Sequence, residues 1–135
     1  MRPGVRLGVD AGRARVGVAV CDRDGLLATP VVTLTRGPDT VDGVAALVAE
    51  HDAVEIVVGL PLSMRGDDTA STADARALAV ELAAVVKVPV LLVDERLSTV
   101  SAQRALHQTG RTVKSSRRVI DQVAAVIILQ NALDF

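Results

Sequence analysis

The sequence predicts an α/β fold built on a mixed β-sheet, a three-strand antiparallel meander plus two parallel strands, flanked by helices. Three observations lead there. Half of the residues are hydrophobic while Phe135 is the one aromatic residue, so the core is built from Val, Leu, Ile and Ala, the composition of buried strands covered by helices. Three short β-branched runs follow one another near the N-terminus with brief polar breaks between them, which reads as a meander. Beyond them, apolar runs alternate with stretches of helical periodicity, the pattern that makes neighbouring strands parallel.

Val5 to Val9 and Val16 to Cys21 are the first two strands, separated by DAGRAR and followed by the turn DRDG, after which Leu26 to Leu34 supplies the third. Thr40 to Glu50 carries apolar residues at 41, 44, 45, 47 and 48, a helical stripe with Asp39 or Thr40 as its cap. AVEIVVGLP is a short buried strand closed by Gly59 and Pro61. The polar loop LSMRGDDTAS leads into a helix from about Thr72 to Val86, with Ser71 and Asp74 at the spacing of a capping pair. VPVLLVDER is the last strand, a helix from Ser98 to about Thr109 stops at Gly110, and the basic loop RTVKSSRR opens a final helix, roughly Ser116 to Asp134.

At 135 residues the whole chain, 1–135, is one domain with room for one site. The net charge of -1 neither demands nor excludes a nucleic-acid partner, so local clustering has to decide. A lone Cys21 excludes an intrachain disulfide and a cysteine zinc cage, and it fits a reducing, cytoplasmic setting. No segment approaches a membrane span and the N-terminus has no signal-peptide core, so no membrane partner is expected.

Sheets of this kind place their sites at the carboxyl ends of the parallel strands. Asp10 closes the first strand, Asp94 and Glu95 close the last, and Asp121 lies early in the otherwise apolar helix VIDQVAAVIIL. Taken singly each has a bland explanation: a turn residue at Asp10, pairing with Arg96 or capping at Ser98 for Asp94 or Glu95, and a favourable charge near a helix N-terminus for Asp121. Taken together they form a set of carboxylates that cannot all stay ionised side by side unless a cation joins them. Oxygen-only ligands select hard ions, Mg²⁺ or Mn²⁺, and such ions serve phosphodiester hydrolysis. Basic residues flank the same element ends: Arg13 and Arg15, Arg96, then Arg111, Lys114, Arg117 and Arg118. They suit contact with a phosphate backbone. With one aromatic residue the chain lacks a stacking platform, so recognition by shape or junction is expected.

GVDAGRARVGVAV, VVGLPLSMRG, VDERLSTVSAQRAL and VIDQVAAVIILQNALD, in this order and spanning nearly the whole chain, resemble the YqgF/RuvX family. The resemblance implies an RNase H-like fold related to the RuvC nucleases. The family's acidic positions carry over to Asp10, Glu95 and Asp121, and with bases flanking all three the expectation is that these catalytic acids hold Mg²⁺ or Mn²⁺ while Arg13, Arg96, Lys114, Arg117 and Arg118 bind substrate phosphates. In strand alternation Asp94 and Glu95 point to opposite faces, and the resemblance favours Glu95. The implied role is 5′-end maturation of precursor 16S ribosomal RNA. The alternatives are cleavage of Holliday junctions, which would call for a homodimer acting on branched DNA, and a non-catalytic RNA-binding role in ribosome assembly. The first motif also resembles the phosphate-binding hairpin of the actin, Hsp70 and sugar-kinase ATPases, but the chain offers no second such hairpin.

Overall fold

The computed structural model describes residues 3–95 and 117–134. Three strands open the chain, β1 (Arg6–Ala11), β2 (Arg15–Cys21) and β3 (Ala28–Thr35), followed by helix α1 (Thr40–His51), strand β4 (Glu55–Leu60), helix α2 (Ala70–Val85), strand β5 (Val90–Asp94) and helix α3 (Arg117–Asp134). They make one five-stranded sheet in the order β3-β2-β1-β4-β5. The meander β1–β2–β3 is antiparallel, while β4 lies parallel to β1 and β5 parallel to β4. The expected helix between Ser98 and Thr109 and the basic loop after it lie outside the described residues.

Alternation along each strand sends its side chains to two different layers. Leu7, Val9, Val16, Val18, Ile56 and Val58 are fully buried on one face, where Val44 of α1 and Leu78 and Leu82 of α2 pack onto them. The intervening residues, among them Ala19, Cys21 and Val57, face Ala125, Ile128 and Leu129 of α3.

The α3 layer is close because its strand positions are small. A Cβ placed on Gly8 would stand 2.6 Å from the Leu129 Cβ and 2.8 Å from the Ala125 carbonyl oxygen, distances no packed carbon tolerates. On Gly17 it would run into the backbone carbonyl of Asp121. Polar side chains then fix the helix along its length. The Gln122 amide donates to the Thr33 hydroxyl (3.0 Å), and Gln130 accepts from the Ala28 amide (2.9 Å) while donating to the Leu26 carbonyl (3.0 Å).

Four expectations shift. The third strand begins at Ala28 rather than Leu26, because the Asp22 carboxylate accepts the amides of Leu26 and Leu27 (2.8 Å each) and turns them out of the ladder. Asp39 does stand at the N-cap of α1, but its side chain makes no cap bond. Helix α2 begins at Ala70, two residues earlier than its periodicity suggests, and its capping box joins Thr69 and Thr72 rather than Ser71 and Asp74. The Thr72 hydroxyl, buried, also donates to the Pro61 carbonyl. Asp74 is drawn away to Arg36, as described below. Finally, β5 ends at Asp94, so Glu95 lies just beyond the strand.

Candidate functional site

The two-layer alternation decides which acids can meet. Val9 and Ala11 pack on the α1/α2 side, so Asp10 between them faces α3. Along β5, Val90 packs with the α1/α2 core and Val93 with the α3 layer. Asp94 therefore points toward the α1/α2 side and Glu95 toward α3. The Glu95 amide donates to the Leu60 carbonyl (3.2 Å), continuing the parallel pairing one residue past the strand. Its carboxylate lies directly over Gly59, where a Cβ would collide with Oε2.

The third acid comes from the helix. Asp10 is paired with Gly17 across the β1–β2 ladder, and Gly17 is where the backbone of Asp121 comes down onto the sheet. A glycine opposite Asp10 thus admits the first turns of α3 and sets Asp121 beside it.

The electrostatics follow from this crowding. Asp10 is pushed up to about 7, first by burial, then by the charge of Glu95 and then by that of Asp121. Glu95 is raised too, by burial and by neighbouring Asp94. Asp121 is held by Arg15, whose Nε donates to Oδ2 at 2.8 Å.

Among the described residues no three His, Cys, Asp or Glu side chains are gathered tightly enough to ligate one ion together. In chemistry the set nonetheless fits a hard divalent cation: it is all carboxylate, it lies on one face, and the crowding of acids that disfavours a charged Asp10 is what such an ion would offset.

The basic residues divide. Arg13 is exposed at the tip of the β1–β2 turn, and that turn is pinned. Gly12 N–H donates to the Arg15 carbonyl (3.0 Å), while Arg36 donates through Nη1 to the Gly12 carbonyl and through its backbone amide to Ala14 (2.9 Å each). Arg36 is itself held by a two-point pair with Asp74 of α2, both contacts 2.9 Å. Arg117 and Arg118 open α3, one turn before Asp121. Arg96 and Lys114 lie outside the described residues.

Arg15, flagged in the sequence only as one of the basic residues flanking Asp10, lies two residues before Gly17 and so on the face that carries Asp10, where it pairs with Asp121. Arg36, from the far end of β3, gave no local signal. A cavity of about 350 Å³, lined by Pro3, Arg23, His51 and Val54 among others, opens at the other end of β1 and has no part in the acid cluster.

The fold defines the class first. The structure of T. thermophilus RuvC in complex with a Holliday junction substrate matches with a TM-score of 0.62 over 97% of this chain and 94% of that one, at 16% identity. A second Thermus thermophilus RuvC structure matches at 0.56. This is a RuvC-like, RNase H-like fold. The RuvX family, described as "Holliday junction resolvase", matches residues 4–135, and the chain belongs to that family. Curated relatives agree. Proteins of Leifsonia xyli subsp. xyli and Thermobifida fusca, each named "Putative pre-16S rRNA nuclease", are 56% and 51% identical over 99% of this chain, covering 88% and 89% of their own lengths.

Proposed function

We propose that this chain is a metal-dependent nuclease that hydrolyses phosphodiester bonds in the 5′-end maturation of precursor 16S ribosomal RNA, in the cytoplasm. One observation carries the chemistry: Asp10, Glu95 and Asp121, from three separate parts of the fold, share one face, where burial first and then the charges of Glu95 and Asp121 push Asp10 up to about 7. The names of the relatives carry the choice of substrate.

Asp10, Glu95 and Asp121 are the residues that would hold Mg²⁺ or Mn²⁺. When bound, such an ion supplies the polarisation that makes water a nucleophile at neutral pH and offsets charge on the phosphate. Without the ion Asp10 holds a proton up to about neutrality, so a cation binding there would have to displace that proton. Arg13, on its pinned turn, grips backbone phosphate, and Arg96, Lys114, Arg117 and Arg118 complete that contact. Such contacts place the strand without reading its bases.

The family description favours a second reading, resolution of Holliday junctions, which needs two such centres in a symmetric dimer. Cleavage of labelled precursor 16S RNA and of a four-way DNA junction, with Mg²⁺, Mn²⁺ or EDTA, separates the two. The expected result is metal-dependent cutting of the RNA that Glu95→Gln abolishes. Junction cutting by a dimer would move the function to DNA, and RNA binding indifferent to chelator and variant would leave a non-catalytic assembly factor.

A further inference from the structure

We propose that Arg15 is a two-ended residue of this centre: its Nε holds Asp121, and the outer fork of the same guanidinium takes a phosphate oxygen of the nucleic-acid substrate. This rests on the nuclease reading above.

The described arginine pairs differ in which nitrogens they use. Arg6, with a side chain only 3% exposed, donates through Nε to Glu55 and through Nη1 to the Gly4 carbonyl. Arg36 gives both Nη groups to Asp74. Arg76 meets Asp68 through Nε and Nη2. Arg15 alone among them uses only its inner nitrogen, 2.8 Å from Asp121 Oδ2. No hydrogen bond with another described residue engages its Nη1 or Nη2.

That unused fork stands on the reacting side of the sheet. Arg15 begins β2 two positions before Gly17, the partner of Asp10. Its side chain is 29% exposed against 18% for Asp121, so the carboxylate lies inside and the guanidinium outside, toward an arriving strand. A guanidinium presents paired N–H groups that match two phosphate oxygens, which an ammonium cannot do. Holding it by Nε fixes the side chain before substrate arrives, which lowers the ordering cost of the second contact. The pair also balances the charge of Asp121, so a phosphate approaching this corner meets the cation first.

Two substitutions test this, Arg15→Met and Arg15→Lys, each checked for an unchanged urea unfolding profile. Binding of a fluorescein-labelled single-stranded RNA is followed by anisotropy over a salt series in a Glu95→Gln background, which prevents cutting. Mn²⁺ uptake is measured by calorimetry with Glu95 intact. Arg15→Met should lose RNA affinity by about tenfold or more, and the slope of log K against log salt should shrink by about 0.7, one phosphate contact on a single strand. Arg15→Lys, keeping the charge but not the fork, should retain the slope, hold Mn²⁺ within about twofold, and still bind RNA several-fold more weakly. Unchanged RNA affinity and slope in both variants, or loss of Mn²⁺ alone, would overturn the proposal and leave Arg15 as a support for Asp121. A parent protein that takes up neither Mn²⁺ nor RNA would instead sink the nuclease reading beneath it.

Discussion

The two faces of the sheet are made by alternate residues of the same strands, yet they differ in kind. Toward α1 and α2, β1, β2 and β4 present Leu7, Val9, Val16, Val18, Ile56 and Val58, all without exposed surface. Toward α3 the same strands present Gly8, Asp10, Gly17, Ala19, Val57 and Gly59. One face is a branched aliphatic core whose burial stabilises the fold. The other trades bulk for closeness, so that a helix settles onto backbone and delivers a carboxylate beside two others. The stabilising core and the candidate site are thus assigned to alternate positions of the same strands.

The largest way to break this contrast is at Asp10. Its folded pKa, about 7, lies above the ordinary value of 3.8, so the folded protein binds this proton more tightly than the unfolded chain does. The resulting stability is complete below about pH 4, declines as pH rises through the interval, and levels off above pH 7, a loss of roughly 4 kcal/mol. Asp10→Asn, a neutral mimic of the protonated carboxyl, should therefore be more stable than the parent by up to that order at pH 8 in EDTA and nearly equal to it at pH 4. It should also lose cleavage by well over ~100-fold, since even outer partners of metal ligands carry ~10- to 100-fold effects. Urea unfolding at both pH values checks the first statement. A stability gap that does not grow with pH would remove the crowding of acids.

Next is Leu82→Ala on the opposite face. Leu82 is fully buried between α2 and the sheet, and its truncation should cost about 3 kcal/mol. Activity per folded molecule should be unchanged, read from kcat below the unfolding transition. A large drop in kcat would mean that the two faces are coupled.

Gly17→Ala sharpens the comparison from the reactive side. Its one added carbon meets the Asp121 backbone, so it should cost about 1–3 kcal/mol and lift α3 off β2. Asp10 should then titrate lower, because Asp121 is one of the groups that raise it. Carbon-detected NMR titration of the Asp10 carboxyl reads this directly, and an unshifted titration would mean that Asp121 stays in place. The smallest effect belongs to Thr69→Ala, which removes the cap of α2 and should cost about 1 kcal/mol. It should leave cleavage alone.

The order of elements, the antiparallel meander and the parallel later strands were legible because periodicity and turn signals are local properties of the sequence, and element ends put Asp10, Glu95 and Asp121 near one edge of that sheet. Alternation set Asp94 and Glu95 on opposite faces, and the family resemblance chose Glu95. What was not legible depends on contacts across the sheet. Asp74 has the spacing of a cap residue, but Arg36, 38 positions away, claims it. Thr72 does the capping work expected of an acidic or amide side chain, a substitution the usual pattern does not flag. Leu26 and Leu27 look like strand residues, yet one upstream carboxylate bends them into the turn, where they stay 71% and 62% exposed. Side chains that bond to backbone compete with the ladder, and hydropathy does not register that competition.

The position of α3 in the chain has a consequence for the order in which the protein acquires its reactivity. Synthesis proceeds from the N-terminus, and β1 with its Asp10 emerges among the first residues, whereas Asp121 is carried by the last element. The aliphatic face can close as soon as α2 and β4 are out, while the glycine-lined face waits for the final helix to dock. A partly made chain can thus gain most of its sheet before the proposed acid cluster is complete.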